Sequence, residues 1–167
     1  MTYARNTTVA VNRTRDEIEQ TLNRYGADGF AYATQGNLAT VIFAMQNRRI
    51  RFVLELPDPD DFQLSNHNPP RERSARAREE AHDQASRQRW RALLLVIKAK
   101  LEAVTAGIST IEAESLANIV LPDNTTAGQW ILPQIDRAYR TGEMPPLLPA
   151  AGNSDPRSGG PIPLPPA

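Results

Sequence analysis

The sequence predicts an α+β fold: a small, mostly antiparallel sheet in a strand–helix–three-strand meander, followed by a long helix and two shorter ones. Three observations predict it. Between Gly29 and Leu56 short apolar or alternating stretches are separated by turn residues, as strands are. Trp90, Leu94, Ile97, Leu101 and Val104 recur at gaps of four, three, four and three, the spacing of one face of a helix. Thr14–Glu17 and Ser109–Glu112 both read hydroxyl-x-x-carboxylate, which marks helix starts.

The elements follow in order. Thr7 to Val11 is short and rich in β-branched residues, and predicts a first strand. A helix is expected from about Arg15 to Tyr25, with Ile18, Leu22 and Tyr25 at helical spacing and Gly26 as its stop. Gly29 to Gln35 alternates, and Gly36-Asn37 is a turn pair. Leu38 to Met45 is apolar on both faces, as a central strand should be. After a turn near Gln46–Arg48, Arg49 to Leu56 alternates, with Ile50, Phe52, Leu54 and Leu56 facing inward. Pro57 and Pro59 end the sheet, because proline cannot serve a central ladder.

A long helix should begin near Glu72 and end at about Ala106, closed by Gly107. Its first half lacks the apolar stripe; Glu72–Arg76, Arg76–Glu80 and Asp83–Arg87 are spaced for i,i+4 charge pairs instead. The Trp90–Val104 stripe is expected to pack on the Ile50, Phe52, Leu54 face or on the last helix. A short helix follows from the Ser109 box to about Ile119. The last helix, Ala127 to Tyr139, ends at Gly142, and Pro133 should kink it or delay its start. Residues 1–143 read as one α+β domain. Residues 144–167 hold eight of the 14 prolines and read as an extended or disordered tail.

The 167 residues carry 19 Lys and Arg against 19 Asp and Glu, so the chain is neither a histone-like polyanion binder nor an acidic mimic of nucleic acid. With no cysteine, thiol catalysis, disulfides, zinc ribbons and Fe–S ligation are excluded. No apolar run is long enough to span a membrane, and the start lacks the apolar core of a signal peptide, so a cytoplasmic protein is expected.

Charge is nevertheless uneven. Arg71 to Lys100 holds nine of the 19 basic residues and four acids. Arg87, Arg91 and Lys98 flank the apolar stripe on one side, and Arg89 and Lys100 on the other. Arg48, Arg49 and Arg51 cluster at a hairpin turn and one strand face, where guanidinium groups can meet a phosphate backbone. These eight residues form the expected nucleic-acid-binding set. The plainer alternative is that strand arginines discourage edge aggregation and that the helix rim is simply solvated. Trp90 continues the apolar stripe and reads as core, not as a platform for bases.

Catalytic patterns are lacking. His67 and His82 have no partner at metal-ligand spacing, and no Gly-x-Ser-x-Gly, Walker or dinucleotide-binding run occurs. Asp58, Asp60 and Asp61 could ligate a divalent cation as in a nuclease, but the strand before them lacks the usual Glu-x-Lys, and solvated loop acids are the favoured reading. The expectation is a protein without cofactor, metal site or catalytic residues.

Three segments resemble a family of small proteins encoded by tailed bacteriophages and prophages: Leu22–Asp28, Gln88–Val104 and Ile119–Asp123. The similarity runs from about Thr7 to Pro149. It implies a phage setting, with a bacterial host's cytoplasm as location, and supplies no catalytic residue. With the basic residues, it leads to a non-enzymatic accessory protein associated with nucleic acid in phage DNA metabolism. The rival is an anti-defence inhibitor that binds a host immune protein, such as a CRISPR effector, or its nucleotide signal. The third reading is a metal-dependent nuclease on the Asp58–Asp61 loop. Leu95 and Val96, off the main stripe, raise the further expectation of a homodimer.

Overall fold

The computed structural model describes residues 10–67 and 69–144. They form α1 (Val11–Arg24), β1 (Gly29–Gln35), β2 (Leu38–Met45), β3 (Arg48–Glu55), a 3-10 turn (Pro59–Phe62), α2 (Ala75–Thr105), α3 (Ile111–Ser115), a second 3-10 turn (Leu116–Asn118) and α4 (Ala127–Thr141). The fold is α+β, as the periodicities require. The chain divides into two units, residues 1–130 and 131–167, with the boundary inside α4. The proline-rich segment after Met144 lies outside the described residues.

The beginning differs from expectation. Val11 opens α1 instead of ending a strand, and Thr7–Val9 lie outside the described residues. Val11 packs against the core, and that tertiary contact overrides its β-propensity. The N-cap is therefore Ala10, with no side-chain cap, and Thr14 is buried one turn in, its amide bonding Ala10 O at 3.1 Å. Glu17 is thereby released from capping, and its carboxylate is used elsewhere.

The three strands form an antiparallel sheet in the order β1-β2-β3, paired from Gly29↔Ala44 to Gln35↔Leu38 and from Leu38↔Glu55 to Met45↔Arg48. Both hairpins have two-residue turns. Gly36 takes φ 58° in the first; Gln46 and Asn47 take φ 49° and 60° in the second, the left-handed pair that matches strand twist.

One face of this sheet is buried. Val41, Phe43 and Met45 of β2 and Ile50 and Phe52 of β3 meet Ile18 and Leu22 of α1 and Trp90, Leu94, Ile97 and Leu101 of α2. The α2 stripe thus packs on the sheet face with Ile50 and Phe52, as its spacing required. The two helices lie side by side and run in the same direction, since Arg15 meets Trp90, Glu17 meets Arg91 and Lys98, and Tyr25 meets Glu102.

Helix ends are set by local chemistry. Ser74 caps α2, its hydroxyl accepting from Ala77 N at 3.3 Å, because Glu72 is held in a bridge with Leu64 and cannot open the helix. In the polar half of α2 Arg76–Glu80 forms at 2.8 Å, whereas Arg87 bonds Gln84 and not Asp83. Thr110, not Ser109, caps α3. Pro133 does not delay the start of α4, which begins at Ala127 and runs through it. A reciprocal box starts that helix: Thr126 N donates to Gln129 Oε1 at 2.9 Å and Gln129 N to Thr126 Oγ1 at 3.2 Å.

Candidate nucleic-acid interface

The eight basic residues divide by where the fold puts them and by what already holds them. Alternation along β3 sends Ile50 and Phe52 inward, so Arg49, Arg51 and Val53 emerge on the opposite face of the sheet. The pairing sets them in cross-strand rows: Gly29–Ala44–Arg49, Ala31–Ile42–Arg51 and Ala33–Thr40–Val53. Ala31, Ala33, Arg49 and Val53 are exposed, while Thr40, Ile42 and Ala44 are half-buried. This outer face is shallow, because its β1 side chains are no larger than methyl groups in those rows, and Glu55 is its one acid.

Arg49 has no hydrogen-bond or ion-pair partner for its side chain among the described residues; only its backbone is engaged, Val120 N donating to Arg49 O at 2.8 Å. Arg51 is partly committed. Its Nη2 donates to Asn124 O at 3.1 Å and Gln129 Oε1 at 3.3 Å, tying the sheet to the turn before α4 and to the first turn of that helix. Its Nε is buried without a partner. Arg48, at the turn, lies 3.9 Å from the Glu112 carboxylate, a distance that leaves it mostly solvated.

The α2 residues stand differently. Arg91 Nη1 donates to Glu17 Oε2 at 2.5 Å and Lys98 Nζ to Glu17 Oε1 at 2.8 Å, so one carboxylate joins the two helices. The Lys98 hydrogen bond, aided by Arg91, holds the Glu17 carboxyl below its usual range although partial burial opposes this. Lys100 donates to the Glu114 carbonyl, with the Glu114 carboxylate 3.8 Å away. Arg87 is bound to Gln84 at 2.9 Å. Arg89 alone of the five is exposed with no side-chain partner among the described residues, beside a groove of about 430 Å³ lined by Pro57, Asp61, Phe62, Ala85 and Gln88.

The helix rim is therefore largely an internal ion-pair network, and the expected set is not brought together as one surface. Arg49 and Arg51 share the outer sheet face. Arg91 and Lys98 share an acid that a phosphate would have to displace.

Sequence reasoning missed Arg15. Its guanidinium lies 4.5 Å from the centroid of Tyr32 and 4.6 Å from that of Trp90, stacked between the two rings. The signal was present: Val11, Arg15, Ile18 and Leu22 follow gaps of four, three and four, so an arginine occupies an apolar stripe. Aromatic faces are a physical means of keeping such a cation there. Trp90 is itself 1% exposed, so it is core and unavailable for stacking on bases.

Two of the histidine and aspartate candidates, His82 and Asp58, have local structural contacts. His82 Nε2 lies 3.2 Å from Pro57 O and its ring meets Phe62 edge-on. Asp58 Oδ1 accepts from Asp60 N at 3.0 Å and caps the 3-10 turn. Among the described residues no group of three or more His, Asp or Glu is placed to hold a metal ion, and no helix is long and apolar enough to cross a membrane. Compared with known proteins, the chain matches no family model, no curated protein and no solved structure.

Proposed function

We propose that this chain is a non-enzymatic accessory protein of phage DNA metabolism that holds nucleic acid by its phosphates along the outer face of the sheet. The observation that carries the reading is Arg49. It is exposed, faces the same way as Arg51, and has no internal acid to neutralise it among the described residues. The methyl-sized side chains of Ala31 and Ala33 on the same face let a sugar–phosphate backbone approach closely. Contacts of this kind position a strand without reading its sequence. The phage setting comes from the sequence resemblance of Leu22–Asp28, Gln88–Val104 and Ile119–Asp123.

Fluorescence anisotropy with single- and double-stranded oligonucleotides, titrated from low to moderate salt, tests the reading. Arg49→Gln is expected to reduce the log–log salt slope by about one unit and leave preference between sequences unchanged. Arg91→Gln should leave the slope alone, because that cation is already paired with Glu17. If the wild-type chain does not bind at low salt, the nucleic-acid reading falls and an inhibitor directed at a host defence protein takes its place.

A further inference from the structure

The two edges of the sheet are treated differently by this chain. The outer edge of β3 is covered: Ile119 bridges Ile50, Val120 N donates to Arg49 O at 2.8 Å, and Asn118 Nδ2 donates to Arg51 O at 3.2 Å. The outer edge of β1 has no ladder partner among the described residues. Nor does it carry the devices that usually protect an edge. Gly29-Phe30-Ala31-Tyr32-Ala33-Thr34-Gln35 contains no charge and no proline, and it pairs with β2 without a break over all seven residues. Its unpaired amides and carbonyls form a template for another strand.

We propose that this edge pairs antiparallel with β1 of a second copy, joining two three-stranded sheets into one of six. The strand itself selects that occupant. An uncharged edge offers nothing to a charged peptide, and this one is nearly symmetric about Tyr32, with Ala31 and Ala33 on either side. A two-fold axis through Tyr32 sets Ala31 opposite Ala33 of the second copy on the outer face, and Tyr32 opposite its own copy on the helix side. An interface that is self-complementary in this way is what a two-fold dimer requires. Tyr32, half exposed, is held from behind by the Arg15 guanidinium stacked on Trp90, so its ring is already oriented. Cross-strand aromatic pairs of this kind stabilise antiparallel ladders. The inference is independent of nucleic-acid binding.

Sedimentation equilibrium of the full chain, from low micromolar to about 0.1 mM, should give a mass twice the 18.5 kDa of one chain. Hydrogen exchange should slow at β1 amides as concentration rises. Ala31→Lys/Ala33→Lys places like charges opposite one another across the axis and should return the mass to that of a single chain, with far-UV circular dichroism unchanged. Ala31→Glu/Ala33→Glu should do the same alone. Mixed in equal amounts, the two variants should restore the doubled mass. A wild-type chain that stays at 18.5 kDa overturns the proposal, as does a dimer that survives in both charged variants.

Discussion

Gly128 is the residue at which helix propensity and packing disagree most sharply. It lies in the first turn of α4, where alanine would ordinarily favour the helix by about 1 kcal/mol. A Cβ built there would stand 2.7 Å from the carbonyl oxygen of Ala117, and that oxygen belongs to backbone, which cannot swing aside. Gly128→Ala should therefore destabilise the fold by roughly 1–3 kcal/mol, the usual cost of overpacking. Chemical denaturation of the two proteins measures it, and a more stable alanine variant would show that the close approach is not maintained. Neither this contact nor the Arg15 stack could be located from sequence, because each depends on which distant backbone or ring comes opposite. The Thr126–Gln129 box is legible in sequence, since its spacing is local and Thr-x-x-Gln is one form of the capping box.

At the scale of elements, hydrophobic periodicity was the reliable signal. β1 and β2 fall where alternation and turn pairs put them, and β3 is shifted by one residue. The α2 stripe is buried from Trp90 to Leu101, with Val104 packed beside it. Leu94→Ala and Ile97→Ala should each cost roughly 2–5 kcal/mol in denaturant melts, because both side chains are almost wholly enclosed. A change below about half a kcal/mol at both would contradict this packing. Charge was less legible than apolarity. Arg91 and Lys98 read from sequence as a free basic rim, yet the acid that binds them lies in α1, more than 70 residues away. Spacing along one helix can suggest i,i+4 partners; it carries no information about a carboxylate supplied by another element. This is why half of the expected interface proved to be an internal network, while the strand arginines, whose direction follows from alternation, were placed correctly on an outward face.

For the whole molecule, Glu17 is the point where acid–base chemistry meets stability. Its folded-state carboxyl is held below the ordinary range by Lys98 and Arg91, so the stabilisation is present above the unfolded value of about 4.3 and is lost as pH falls through the folded one. Denaturant melts should show wild-type stability dropping as pH is lowered below about 5. Glu17→Gln should be less stable by about 1 kcal/mol at neutral pH and show a smaller drop on acidification. Equal acid sensitivity in the two proteins would mean the network contributes nothing. The same pairing has a consequence in time. Arg91, Lys98 and Glu102, which bind Glu17 and Tyr25 of α1, all lie in α2, so the side-by-side helices join parts of the chain that leave the ribosome far apart. Ile18 and Leu22 can meet Val41, Phe43 and Ile50 of the sheet early, but the core they share stays open on one side until Trp90 and Leu94 have been made. Folding of this unit is accordingly a late and non-local event, slower than its helical content would suggest. A nascent chain halted before α2 should hold its sheet with the apolar face only partly covered by α1, a form open to aggregation and proteolysis.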